Sequence, residues 1–358
     1  MNKNIASDIE NKNSYPNILK IFSWLGIAVI IGNLLVIAYN LLIPLVFAFL
    51  VWYLINTIDY ALSRVEVKGI NPPRELRLLL ILSLFALAFN IITGILVTNV
   101  SRIIEVAPQY QLNLEKMLQE LPFGIEVEEV PALSRITTEF DIGRLMQRIA
   151  RELAGFLGNV GLILIYLVFL FLEQRYFNSK IKLATANKRK EKRIRNILAQ
   201  IDRDIRRYIG IKTLLSFVTA VAAWVIMKQV GLDFPGFWAI LIFILNFIPH
   251  MGSIGATILP ALLALLQFDT YRPFFIILLG IGAIQFMIGN ILDPTLMGKS
   301  LNVSPLVIIF SLVFWGSIWG LAGMFLAVPI MVIIMIVLYN FKQTRWLARV
   351  LSRDGKLN

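Results

Sequence analysis

Apolar residues in this chain come in long runs that contain no Asp, Glu, Lys or Arg. The runs cover 38 residues at 21–58, 24 at 78–101, 20 at 153–172, 35 at 234–268, 20 at 273–292 and 42 at 300–341. A helix rises about 1.5 Å per residue, so about 20 apolar residues cross a hydrocarbon core of about 30 Å. The pattern predicts an all-α, polytopic transmembrane protein with six full spans plus two broken helical hairpins, about eight to ten membrane segments.

The first run is too long for one crossing. Asn40 and Pro44 mark its break, because proline lacks the backbone donor and disfavours helix in the residue before it. That places spans near 20–40 and 44–62, a third near 77–100, a fourth at 153–172, a fifth near 211–230 and a sixth at 273–292. Between the third and fourth lies an amphipathic, acidic excursion, 101–152, expected on the extracytoplasmic side, with helical stretches near 109–120 and 140–152. The segment 175–210 carries Ile194, Ile197, Leu198, Ile201, Ile205 and Ile209 on one helix face, a stripe that should pack on the protein or on the membrane surface. The chain thus divides into a three-span region (1–100), the excursion (101–152), the fourth span with a basic helix (153–210), a C-terminal core (211–341) and a basic tail (342–358).

Two runs are broken. Pro249, Gly252 and Gly255 interrupt 234–268, leaving arms of about 14 residues, or about 21 Å, short of the core thickness. Gly316, Gly320 and Gly323 interrupt the run from Pro305 to Phe341. Each broken run is either a pair of short tilted spans or a re-entrant hairpin. Irregular backbone survives in hydrocarbon only when it is buried in protein or lines a wet cavity, and transporters place substrates at such breaks. The alternative is that these prolines and glycines only permit close helix packing.

Composition agrees with a membrane chain: 58% hydrophobic and 16% charged residues, with a mean hydropathy of +0.76. The net charge of +12 is concentrated in 175–212, which holds 13 of the 34 Lys and Arg. Between spans such a cluster, here Lys188 to Arg193, reports a cytoplasmic side and not nucleic-acid binding. The basic tail (Lys342, Arg345, Arg349, Arg353, Lys356) puts the C-terminus on that side too, and six spans put the N-terminus with it. The segment Met1 to Pro16 is polar and the first apolar run is long enough to span, so the start reads as a membrane helix and not as a cleaved leader.

Candidate chemistry is sparse. There is no cysteine and one histidine, which excludes thiolate and multi-histidine metal sites. No Walker loop, HExxH or dinucleotide fingerprint is present, so neither an enzyme nor a cofactor is expected, and any transport is not ATP-driven. The polar residues at membrane depth are Asn246, His250 and Ser253 around the first break, then Gln285, Asn290 and Asp293 in and after the sixth span. Such residues face protein or water, as interhelical glue or as a pathway for a small polar solute.

Three stretches resemble one known family. Asn246-Phe247-Ile248-Pro249-His250-Met251-Gly252 is similar to the N-x-I-P-aromatic-x-G turn of the autoinducer-2 exporter (AI-2E) family. Asn290 to Pro294, Gly298-Lys299-Ser300-Leu301 and Pro305 resemble its N-x-x-x-P…G-[KR]-x-L…P stretch. Trp319-Gly320-Leu321-Ala322-Gly323 and Leu326-Ala327-Val328-Pro329 resemble its G-x-x-G…LAVP ending. The resemblance implies a homo-oligomeric bacterial inner-membrane transporter, with autoinducer-2 export or sodium/proton exchange as the associated activities. Two positions depart from the family pattern: His250 stands where an aromatic residue is usual, and Ile288 where many members carry an acid. A membrane scaffold that binds a partner through 175–210 and 101–152 is the reading from another class.

Overall fold

The computed structural model describes residues 15–63, 72–119, 158–185, 187–297 and 302–355. Among the described residues twelve helices follow one another: α1 Tyr15–Ile37, α2 Tyr39–Leu62, α3 Arg74–Gln119, α4 Val160–Gln174, α5 Phe177–Ala184, α6 Lys188–Val230, α7 Pro235–Leu245, α8 Met251–Gln267, α9 Arg272–Met287, α10 Asp293–Met297, α11 Pro305–Asn340 and α12 Arg345–Leu351. A five-residue π turn, Ile288–Leu292, joins α9 to α10. Among the described residues the only extended pairing is an isolated bridge, Val303 with Ser352. Five stretches are long and apolar enough to cross a membrane: Tyr39–Leu62, Arg74–Asn99, Lys188–Val230, Arg272–Met297 and Pro305–Asn340. The protein is an all-α, multi-pass membrane protein.

Three features differ from the sequence expectation. The first break falls at Ala38, where ψ is 11°, and Pro44 sits buried inside α2. Its missing N–H denies a bond only to the carbonyl of Asn40, an exposed residue, so the helix runs on. Next, α3 continues through position 100, and through Pro108, as one helix of 46 residues, with the Asn99 side chain donating back to the Ile95 carbonyl. The expected helix at 140–152 lies outside the described residues. Finally, the basic segment and the fifth span form one helix of 43 residues, capped by the Asn187 side chain and ended by Gly231 at φ 83°.

Charged groups gather at one end of the bundle. There Arg77 Nε donates to Asp59 Oδ1 at 2.8 Å, Arg206 pairs with Asp202 at 2.8 Å, and Arg206 also donates to the Asn56 carbonyl. We call this the basic end. At the far end, Tyr110 on α3 donates to Asp233 Oδ2 at 2.6 Å and Asn113 donates to the Leu266 carbonyl at 2.8 Å. Most of the isoleucine stripe of α6 packs within the protein: Ile205 and Ile209 are buried with Val328, Val332 and Ile336, Ile197 and Ile201 border the same cluster, and Ile194 at its start is exposed.

Both broken runs are hairpins. The first, α7–α8, opens at the far end, where the Gln267 side chain accepts from Asp233 N and donates to the Gly231 carbonyl. Its base is packed by Phe237, Trp238 and Leu241 of α7 against Met227 of α6, Ile277 and Ile281 of α9, and Leu96 and Ile103 of α3. The second is α11 itself, which doubles back at Gly320 (φ 58°, ψ −140°). Ser311 Oγ donates to the Ala327 carbonyl across its arms, sixteen residues away in sequence. It opens at the basic end, where Val303 pairs with Ser352 and packs on Met331 and Met335.

Candidate functional site

The tip of the first hairpin is made by a local sequence that forbids a straight helix. Pro249 supplies no N–H, and His250 takes φ 59°, ψ −58°. Gly252 then passes so close to the preceding arm that a Cβ there would lie 1.7 Å from the Leu245 carbonyl oxygen. Only glycine fits that approach. Gly255, by contrast, would meet only a Leu245 side-chain carbon at 3.6 Å, and plays no part in the turn.

Asn246 ends α7, and its Oδ1 accepts a hydrogen bond from Gln285 Nε2 of α9 at 2.8 Å. Gln285 lies thirteen residues into the span that starts at Arg272, about 20 Å from that end, so the tip reaches mid-depth. Beside this pair runs an open groove of about 330 Å³ between α8 and α9, lined by Ser253, Thr257, Gly282, Gln285 and Asn290 with Ile254, Ile258 and Phe286. The structure therefore brings Ser253, Gln285 and Asn290 together, with Asn246 held behind Gln285.

The other two expected site residues stand apart from the groove. His250 is exposed at the tip and offers the turn only its carbonyl, which accepts from Ser253 Oγ at 3.1 Å. Asp293 instead pairs with Lys212 of α6, its Oδ2 lying 2.7 Å from the Lys212 Nζ. The π turn explains the divergence, since one extra residue in a turn rotates everything after it. Asp293 N bonds to the carbonyl of Ile288, five residues back, and Pro294 has no N–H to give the next carbonyl, that of Gly289. Asn290, inside the turn, donates to the Phe286 carbonyl at 3.1 Å. Ile288, where family members often carry an acid, is buried.

Sequence reasoning missed Thr257 and Lys212. Thr257 was findable, because it lies one helical turn after Ser253 and bonds to the Ser253 carbonyl at 2.9 Å. Lys212 gave no signal of its partner, 81 residues away. Asp293 Oδ1 and the Tyr208 hydroxyl, both buried, have no hydrogen-bond partner among the described residues. No group of three or more His, Cys, Asp or Glu among the described residues has the arrangement of a metal site.

The second hairpin repeats the backbone plan with other side chains. A Cβ on Gly323 would lie 1.8 Å from the Trp315 carbonyl oxygen, and one on Gly316 would lie 2.9 Å from the Met324 side chain. Pro329 is buried in its return arm. Its tip is apolar: Trp319 packs with Leu326 and Ile43, and its indole donates to the Leu35 carbonyl at 3.0 Å. The two hairpins meet side by side, with Phe247 stacked on Phe325 at 4.4 Å and Ile248 packed among Leu312, Trp315 and Ala327. Pro294 is exposed, and Gly298 falls outside the described residues.

Half-depth hairpins from opposite ends, overlapping beside a largely apolar groove that carries a few amide and hydroxyl side chains, fit the architecture of a membrane transporter. Comparison with known sequences agrees: the pattern of the AI-2E family transporter matches residues 25–343, and the chain belongs to that family. It is 28% identical over 345 residues to the AI-2 transport protein TqsA of Escherichia coli, covering 95% of this chain and 97% of that one. It is also 28% identical over 333 residues to a putative transport protein of Haemophilus influenzae (89% and 93% covered), and 30% identical over 243 residues to one of Borreliella burgdorferi (68% and 67% covered).

Proposed function

We propose that this transporter exports a small polar solute, of the autoinducer-2 kind, across the bacterial inner membrane, with the basic end and both termini in the cytoplasm. The carrying observation is the groove: Ser253, Gln285 and Asn290 line it, and Asn246 holds Gln285 in place. A carbonyl- and hydroxyl-rich solute matches amide and hydroxyl side chains, which both donate and accept. The full-length similarity to TqsA supports the solute class. Residues 211–341 form the transport core, and the hairpins shape the path through Pro249, Gly252, Gly320, Gly323 and Pro329. Ile254, Ile258 and Phe286 leave the groove's outer rim apolar and exposed, a side that lipid or a second copy in a homo-oligomer closes.

The test is autoinducer-2 flux in proteoliposomes. Asn246→Ala and Gln285→Leu should each lower flux about tenfold while the protein remains monodisperse. Flux equal to wild type in both variants would remove the groove from the path.

A second reading, sodium/proton antiport, is favoured by Asp293, whose Oδ1 is buried without a partner beside Lys212. It requires that everted vesicles show sodium-dependent collapse of a pH gradient, lost in Asp293→Asn. The scaffold reading keeps Ile194, which is exposed, while Ile197, Ile201, Ile205 and Ile209 pack with the protein's own α11 and α2.

A further inference from the structure

A positive cluster that transport leaves unused lies where α6, the end of α11 and the start of α12 meet. Arg193, Lys342 and Arg345 line a cavity of about 400 Å³ there, together with Asn340, Phe341 and Gln343. Among the described residues no carboxylate lines it. Two of the three cations are positioned by the protein: Arg193 donates to the Asn340 carbonyl and lies over the Phe341 ring at 5.0 Å, and Arg345 Nε donates to the Tyr339 carbonyl at 3.0 Å. We propose that this cavity holds the phosphate of an anionic phospholipid headgroup.

Two observations place the cavity at headgroup depth. On α11, Ile333, Ile334 and Val337 remain more than a third exposed, so hydrocarbon must reach to within one turn of Asn340. On α12, Trp346 and Val350 lie one turn apart and are 65% and 69% exposed, while Ala348 is buried and Arg345, Arg349 and Arg353 flank them. An outward tryptophan with basic neighbours is the composition of a helix seated in the membrane interface. Phe341, 45% exposed, offers the first carbons of an acyl chain an apolar wall.

Two positioned guanidinium groups and the Lys342 ammonium attract an anion, and a phosphodiester brings its own hydrocarbon to the exposed tryptophan. A free phosphate has no use for that apolar flank. The occupied site would tie three elements together at the mouth of the second hairpin, because α12 already pairs with Val303 through Ser352.

The experiment uses full-length protein, delipidated in mild detergent and titrated with phosphatidylglycerol, phosphatidylcholine or inorganic phosphate, with bound lipid counted by native mass spectrometry. Wild type should retain phosphatidylglycerol and neither of the other two. The triple variant Arg193→Gln, Lys342→Gln, Arg345→Gln should need at least about tenfold more lipid, on the scale expected for cations at an anionic surface. A charge-matched control, Lys188→Gln, Arg189→Gln, Lys190→Gln, should bind as wild type does. Lys342→Glu alone, at an exposed turn, should weaken binding about fivefold and serves if the triple variant does not fold. Equal binding by wild type and the cavity variants would overturn the proposal. So would an equal loss in the control, which would mean diffuse charge, or an equal response to inorganic phosphate.

Discussion

The two hairpins share a backbone plan and differ in everything their tips carry. Each opens on a proline, Pro235 or Pro305, and reaches a positive φ fifteen residues later, at His250 or Gly320. Two or three residues further on, a glycine touches a carbonyl of the first arm, and a buried proline, Pro260 or Pro329, lies in the return arm. The first tip holds Asn246, His250 and Ser253 and bonds sideways to Gln285. The second holds Trp319 and Gly320 and is walled by aromatic and aliphatic groups. Matched geometry with opposed chemistry separates what both turns need, a glycine against a carbonyl, from the amide and hydroxyl groups that only the first tip carries.

The comparison can be broken most severely at the shared glycines. Gly252→Ala and Gly323→Ala should each cost about 3 kcal/mol or more, since the added carbon meets backbone at 1.7 and 1.8 Å. The readout is loss of monodisperse protein and of cooperative thermal unfolding. Gly289→Ala, with nothing within 4 Å, is the silent control. If one hairpin tolerates alanine, the plan is not shared.

The next test exchanges the positive-φ residues. Gly320→Ala should destabilise by about 1–3 kcal/mol, the cost of strained backbone. His250→Gly should do the reverse and raise stability by about 1 kcal/mol, because histidine holds φ 59° there at a steric cost. A stabilised His250→Gly with unchanged flux would assign the side chain no part in transport, in line with its exposure.

Smaller effects sharpen the functional contrast. Trp319→Phe removes the bond to the Leu35 carbonyl and should cost about 1 kcal/mol with flux unchanged. Gln285→Leu should cost about as little in stability, since interhelical bonds in membranes average about 0.6 kcal/mol, yet lower flux. Thermal unfolding and flux measured on the same preparations separate the two outcomes.

The smallest effect concerns the mouth of the first hairpin, which α3 pins from outside its span. Burial, reinforced by the bond to Asp233, pushes the Tyr110 hydroxyl well above its ordinary value of 10.0. A raised pKa means that the folded state favours the protonated phenol. That stability is fully present below about pH 10 and is lost as pH rises past it. Wild type should therefore lose more of its thermal stability between pH 9 and pH 11 (roughly the window of an unfolded tyrosine) than Tyr110→Phe does.

Much of this arrangement was legible in the sequence. Charge-free runs gave the spans, and the prolines and glycines at 249–252 and 316–323 located both tips, since these residue types interrupt a helix. Three of the six pathway candidates share one groove because Gln285 and Asn290 lie on a single helix facing Ser253. The π turn was not legible, because an extra residue in a helical turn leaves the composition unchanged. That is why Asp293 was placed with Asn290, although the structure turns it toward Lys212. Pro44 misled for a related reason: a helix tolerates one missing donor when the rest of its length is apolar and packed.

One consequence follows from what separates the hairpins. Between them the chain crosses the bundle once, through α9, the π turn and α10. An odd number of crossings turns any repeated unit upside down, so the later copy of the plan faces the other compartment. Had the linking segment crossed twice, both loops would have served the same doorway, and the opposite side would have been left without a moving part.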